Sequence, residues 1–114
     1  MDKHISDSLF SALFESTGDP IWAVNLEHRL TAFNNSFQHT LVANFGLLPK
    51  LGMAPMELWP QTGISPFAAY YERAFSSGSF SVEYPLLNGT TFEIFFTPMV
   101  SEGVVSGILS LIHI

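Results

Sequence analysis

Residues 19–45 read Asp-Pro-Ile-Trp-Ala-Val-Asn-Leu-Glu-His-Arg-Leu-Thr-Ala-Phe-Asn-Asn-Ser-Phe-Gln-His-Thr-Leu-Val-Ala-Asn-Phe. Asp19-Pro20 opens a short apolar run, residues 21–26, rich in strand formers. The polar triplet Glu27-His28-Arg29 returns the chain into a second short strand, residues 30–33. Asn34 and Asn35 are both N-cap candidates, because an Asn side-chain oxygen accepts from the free amides of a first helical turn. With Asn35 as the cap, Gln38 three residues on makes a loose capping box. Phe37, Leu41 and Phe45 follow at i, i+4 and i+8, one stripe of a helix.

On the N-terminal side, residues 5–15 fit an amphipathic helix. Ile5, Leu9, Ala12 and Leu13 share a face that suffices to dock the helix on its own domain's sheet. Residues 16–20, Ser-Thr-Gly-Asp-Pro, end it, with Gly18 expected in the left-handed conformation and Pro20 barring continuation. Phe10 and Phe14 form a second stripe. Two aromatic rings left in water forgo about 1.5–3 kcal/mol each. They are expected to meet the same helix of a second copy round a two-fold axis, or else to join one large intramolecular core.

On the C-terminal side, residues 46–65 are punctuated by Gly46, Pro49, Gly52, Pro55, Pro60 and Gly63, with one short helical turn expected within residues 54–59. Ser65-Pro66 is a helix start, Ser as cap and Pro at the first helical position. Phe67, Tyr70, Tyr71, Ala74 and Phe75 make its aromatic stripe and Gly78 closes it. Arg73 lies off the stripe and is expected in solvent. Residues 80–86 alternate Phe80, Val82, Tyr84 and Leu86 against polar positions and Pro85, and residues 90–98 place Phe92, Ile94 and Phe96 on one face. A two-residue turn at Asn88-Gly89 would split these two apolar sets across opposite faces. A three-residue loop, Leu87-Asn88-Gly89, keeps them together by pairing Tyr84 with Phe92, Val82 with Ile94 and Phe80 with Phe96. Residues 98–103 turn the chain into a last strand, residues 104–114, apolar on both sides and therefore expected inside the sheet with both faces covered.

The order strand, turn, strand, Asn-opened helix resembles the start of a PAS domain. Asn34 matches that family's helix-opening Asn, and Asn25 stands where the family usually has Asp. Two strands, helices, then three strands continue the family's order, so the resemblance covers about residues 8–114. Ile112-His113-Ile114 falls where the family usually carries Asp-Ile-Thr after an apolar run such as Gly107-Ile108-Leu109. The resemblance implies an α+β fold: a PAS-like five-stranded antiparallel sheet with helices on one face and an N-terminal flanking helix. It divides the chain into a flanking helix, residues 1–18, and a core, residues 19–114. It also makes residues 46–65 the family's variable region, with Leu47, Leu48, Met53 and Trp59 as core contacts.

Composition narrows the function. The chain has 114 residues, one domain's worth, with 47% hydrophobic and only 12% charged residues. That charged share is about half the usual one, which points to surface hidden against a partner or neighbouring domain. A net charge of −6 with four Lys plus Arg and no basic run argues against nucleic acid and anionic membranes. No apolar run approaches the roughly 20 residues of a membrane span. The first residues lack the apolar stretch of a signal peptide, and a cytoplasmic domain is expected. Without Cys there is no disulfide, thiolate metal site or cysteine nucleophile.

Candidate chemistry is sparse. His39 points away from Phe37 and Leu41, His28 is in a turn, His4 is near the terminus and His113 is on the last strand. PAS domains that bind haem generally ligate it from the helix matching residues 66–77, which holds no His, so haem is disfavoured. A light-sensing flavin relative needs a Cys for its adduct, so that chemistry is excluded, although flavin bound without an adduct is not; the domain is expected to be colourless. No two Glu share a helix face for general acid–base work, and neither a nucleophile elbow nor a phosphate loop is present. What remains is the aromatic lining. Phe37, Leu41 and Phe45 face Phe67, Tyr70, Tyr71 and Phe75 over the sheet, either as packed core or as the family's small cavity. In the second reading Tyr70 or Tyr71, Thr40 and Asn44 are its polar handles and its ligand is apolar or neutral.

The function implied by the resemblance is a non-enzymatic sensory or interaction domain. It belongs to a signalling protein such as a histidine kinase of a two-component system or a diguanylate cyclase, with the effector downstream of Ile114. A ligand or partner event would shift the domain between two populations. A cone-shaped α+β isomerase or dehydratase and a filled-core dimerisation module are the competing readings. The enzyme needs a His or Asp aimed into the pocket, which the helix faces do not supply.

Overall fold

The computed structural model describes residues 3–54, 67–86 and 89–113, with only the backbone course for residues 3–8 and 10. The elements are α1 (Lys3–Ser16), β1 (Ile21–Asn25), β2 (Leu30–Phe33), α2 (Asn35–Phe45), α3 (Phe67–Ser77), β3 (Phe80–Pro85), β4 (Thr91–Ser101) and β5 (Val104–His113). The helical turn expected within 54–59, Trp59, the Ser65-Pro66 helix start and the side chains of His4, Ile5 and Phe10 lie outside the described residues.

The strands form one antiparallel sheet in the order β2-β1-β5-β4-β3. The first and last strands of the core are therefore neighbours at its centre, Trp22 opposite Ser110 and Val24 opposite Ile108. The β3–β4 register is the one the apolar sets require: Phe80 with Phe96, Val82 with Ile94, Tyr84 with Phe92. Leu86 N donates to Thr90 O at 2.7 Å and Gly89 N to Leu86 O at 3.1 Å, closing a three-residue loop with Gly89 at φ 89°. Alternation on β4 is strict, with Phe92, Ile94 and Phe96 buried and Thr91, Glu93 and Phe95 exposed. β5 lies inside the sheet as expected, but its faces differ: Ile108, Ser110 and Ile112 are buried, whereas Leu109 and Leu111 are half-buried. At Gly107 the sheet closes so tightly that a Cβ would sit 2.3 Å from Val24 O.

Each edge is blunted. Leu30 N donates to Met53 O and Gly52 N to Leu30 O, so the segment after α2 covers part of β2. On β3 the exposed Glu83 and Pro85 discourage a further strand, by charge and by a missing donor.

Asn34 joins the pieces. It is 1% exposed, and all four hydrogen-bonding positions of its amide are used. Oδ1 accepts from Ile21 N at 3.0 Å and Phe37 N at 2.9 Å, and Nδ2 donates to Phe14 O at 2.9 Å and Asp19 O at 3.0 Å. Asn34, not Asn35, is thus the N-cap, and Gln38 forms no capping box. The amide of Asn35 goes instead to Glu15 Oε1 of α1, at 2.8 Å.

α1 is held at its C-terminal end, through Phe14 O, Glu15 and the Gly18 carbonyl that accepts from Ser36 Oγ at 2.8 Å. The stripe expected against the sheet is not there: Leu9 and Leu13 are 59% and 62% exposed and Ala12 is exposed, while Phe14 is half-buried. The reason is rotational. Fixing Phe14 O on Asn34 turns the Phe14 side of the last turn inward and leaves Leu9 and Leu13 outward. Gly18 is not left-handed either; the helix ends with Ser16 Oγ bonded to Leu13 O and Asp19 N to Thr17 Oγ1. Arg73 is exposed, as expected, and lays its guanidinium 4.0 Å over the Phe80 ring.

Two substitutions test this account by chemical denaturation. Asn34→Asp keeps the shape but replaces two donors by a carboxylate facing two carbonyls, so it is expected to cost about 3 kcal/mol or more at neutral pH and at least as much as Asn34→Ala. Gly107→Ala is expected to cost about 1–3 kcal/mol, because a backbone oxygen must retreat to admit the methyl group.

Candidate functional site

Between α2, α3 and the sheet the aromatic rings interlock. Trp22 of β1 is fully buried and stacks on Phe37 at 4.9 Å between centroids. Phe67 sits at the middle, 6.3 Å from Trp22, 5.7 Å from Tyr70, 5.6 Å from Tyr84 and 6.1 Å from Phe96. The helices reach this face because their stripes fall at helical spacing, and the sheet receives them because its inner face carries one large residue every second position.

The candidate lining divides into three groups. Phe37, Leu41, Phe67 and Tyr71 are fully buried and Phe45 and Tyr70 pack half-buried against them. Thr40 and Asn44, the expected handles on α2, are half-buried, and Asn44 Nδ2 already donates to Thr40 O at 3.0 Å. Phe75 leaves the group, at 49% exposure, because the buried stripe of α3 runs through Phe67, Tyr71 and Ala74 and puts Phe75 at its flank. Tyr71 is committed as well: its hydroxyl accepts from Trp22 Nε1 at 3.0 Å. Burial, together with the neighbouring Tyr70, pushes the Tyr84 phenol above the ordinary tyrosine range, so it stays a protonated, neutral group at physiological pH.

Sequence reasoning missed three features of this region. Trp22 was legible as a strand residue but not as the ring that joins both helices, since its partners are 15 and 49 positions away. Ser110, directly between Trp22 and Phe96 in the sheet, is fully buried with no hydrogen-bond partner for its hydroxyl. No periodicity distinguishes it from a neighbouring apolar position. The sheet also sets Glu83 directly opposite Glu93, and Glu93 opposite His113. These lie on the exposed outer face, where paired carboxylates are a small repulsion rather than an acid–base site.

The histidines follow the sequence reading in part. His39 is exposed, as expected. His113 lies 3.9 Å from Asp19 with both side chains well exposed, a contact of little weight. His28 is more than a turn residue: its Nε2 meets Glu72 Oε1 of α3 at 2.9 Å. Among the described residues no group of three His, Asp or Glu is placed to hold a metal ion, and no helix is long and apolar enough to cross a membrane.

No family model matches the chain, and no curated protein matches it in sequence. Solved structures do. The chain is similar to the PAS domain of BvgS from Bordetella pertussis, at 19% identity and a TM-score of 0.66, over 96% of this chain and 86% of that one. It is similar to a domain of a sensory box sensor histidine kinase/response regulator from Geobacter sulfurreducens, at 17% identity and a TM-score of 0.63, over 99% and 97%. A sensory box sensor histidine kinase from Vibrio cholerae matches at 17% identity and a TM-score of 0.65, over 97% and 90%.

The Trp22–Tyr71 bond is a polar joint across the mainly aromatic interior. Tyr71→Phe is expected to cost about 1–3 kcal/mol in urea denaturation, since it removes the oxygen that Trp22 Nε1 donates to and leaves ring packing intact.

Proposed function

Because the chain has the PAS fold, we propose that it is a sensory domain of a signalling protein, which takes up a small ligand or a partner and relays the event to an effector outside this chain. The observation that carries this reading is that the likeness to sensor histidine kinase domains extends over 97% and 99% of the chain. A histidine kinase or a diguanylate cyclase is the effector class we favour. We read the domain as non-catalytic and cytoplasmic, in keeping with its sparse titratable groups.

The ligand we propose is uncharged or apolar and occupies the space between α2, α3 and the sheet. Every charged residue of these two helices lies off the buried stripe, and a bare charge there would be costly to bury. Haem is disfavoured, because α3 offers no His. The absence of Cys removes a flavin adduct, so the domain is read as colourless.

Relay follows from the topology. β5, which Ser110 places beneath this lining, pairs with β1, and Ile112 N donates to Pro20 O at 2.9 Å. A shift of β5 between two populations is therefore transmitted to the segment that joins α1 to the sheet. Association of two copies through α1 belongs to the same reading. Exposed Leu9 and Leu13 give the helix an outward apolar face, to which Phe14, half-buried, adds less than its spacing promised. Phe10, the other expected contact, has its side chain outside the described residues.

Native mass spectrometry of the freshly purified domain, with an absorption spectrum, tests the whole reading. The expected result is a colourless dimer that carries, or takes up from a library, one uncharged compound per chain. At a hundredfold excess over its Kd such a compound adds about 2.7 kcal/mol to stability. A Soret or flavin band, or stabilisation by strongly charged compounds alone, would overturn it.

A further inference from the structure

The β1–β2 turn and the second half of α3 stand on either side of a cleft of about 130 Å³. Among the described residues, Asn25, Leu26 and His28 line it from the turn, and Tyr71, Glu72 and Phe75 from α3. Ile108 of β5 completes the lining.

The turn wall is locally built. Asn25 Oδ1 accepts from Glu27 N and from Arg29 N, both at 3.0 Å, and His28 N donates to Asn25 O at 2.9 Å. This closure holds His28 at φ 64°, in the left-handed region that residues with a Cβ seldom adopt. From there its ring reaches α3: Nε2 meets Glu72 Oε1 at 2.9 Å, joining one wall to the other. Tyr71 is the partition between this cleft and the interior. Its ring lies 6.2 Å from Phe67 and 5.9 Å from Phe96 on the core side and 5.3 Å from His28 on the cleft side. The bond from Trp22 Nε1 fixes it there.

The lining sets the chemistry of an occupant. An apolar cavity of about 150 Å³ takes up a molecule of benzene size, and Leu26, Tyr71, Phe75 and Ile108 supply apolar surface for one ring. An anion is opposed by the Glu72 carboxylate and by the chain's net charge of −6. A cation must compete with His28 for the same carboxylate. A hydroxyl suits the rim, because a carboxylate accepts more bonds than the one from His28. We propose that this cleft is a binding site for a small uncharged aromatic alcohol of phenol size, its ring against Tyr71, Phe75 and Ile108 and its hydroxyl at the His28–Glu72 pair. The site lies on the other side of Tyr71 from the interior and does not depend on the α2–α3 lining holding a ligand.

Titration of the full chain with phenol, followed by amide proton–nitrogen correlation spectra, tests the proposal. The expected result is saturable shifts confined to residues 25–29, 71–76 and 107–109, with benzoate and benzylamine binding at least about tenfold more weakly, a difference of roughly 1.4 kcal/mol. Phe75→Trp fills the cleft at an exposed position and is expected to lower phenol affinity by the same factor or more, with the signals of Trp22 and Phe96 unmoved. Leu26→Trp, on the opposite wall, makes the same test if the first variant fails to fold. Absence of saturable shifts, or unchanged affinity in the filled variant, overturns the site. Shifts centred on Phe37, Leu41 and Phe67 overturn it too, while supporting a ligand in the interior.

Discussion

One buried amide governs the assembly. Asn34 stands where β2 hands over to α2, and its side chain binds α1, the entry to β1 and the first turn of α2 at once. Two accepted and two donated bonds are needed at one buried position, and among side chains of this size only an amide offers both. Aspartate lacks the donors, serine lacks the reach, and an apolar residue would leave several main-chain groups unpaired in the interior. The adjacent bond from Asn35 N to Glu15 helps explain why α1 stays attached although most of its described side chains are exposed.

From that junction the rest of the interior follows by packing. Trp22 is placed one residue past the Ile21 amide that Asn34 binds, and its ring meets α2 through Phe37 and α3 through Phe67 and Tyr71. β5 passes beneath it, flanked by β1 and β4, so the last strand touches both the first strand and the hairpin. A PAS fold thereby brings its two ends together on neighbouring strands. Ile112, on the inner face of β5, donates through its N to Pro20 O, close to where α1 enters.

The departures from the PAS pattern are chemically mild. Asn25, where the family usually has Asp, still accepts from two turn amides through its oxygen. The turn needs an acceptor there and not a charge. The missing Asp near the end of β5 is different, since His113 brings another polarity to that place, opposite Glu93 and near Asp19.

By itself the sequence determined the elements, the β3–β4 register and the inner face of the sheet. Each of these rests on local rules: strand alternation at Phe92, Ile94 and Phe96, helical spacing at Phe37 and Leu41, and a loop length that keeps apolar residues on one side. It also marked most of the aromatic lining, because stripes facing a sheet are legible one helix at a time. Tertiary structure alone decided which face of α1 turned inward, since one bond from Asn34 to Phe14 O outweighed the Leu9–Leu13 stripe. It alone moved Phe75 to the rim and paired His28 with Glu72. These relations join residues distant in the chain, or turn on how an element ends against its neighbour. No periodicity within one element encodes either.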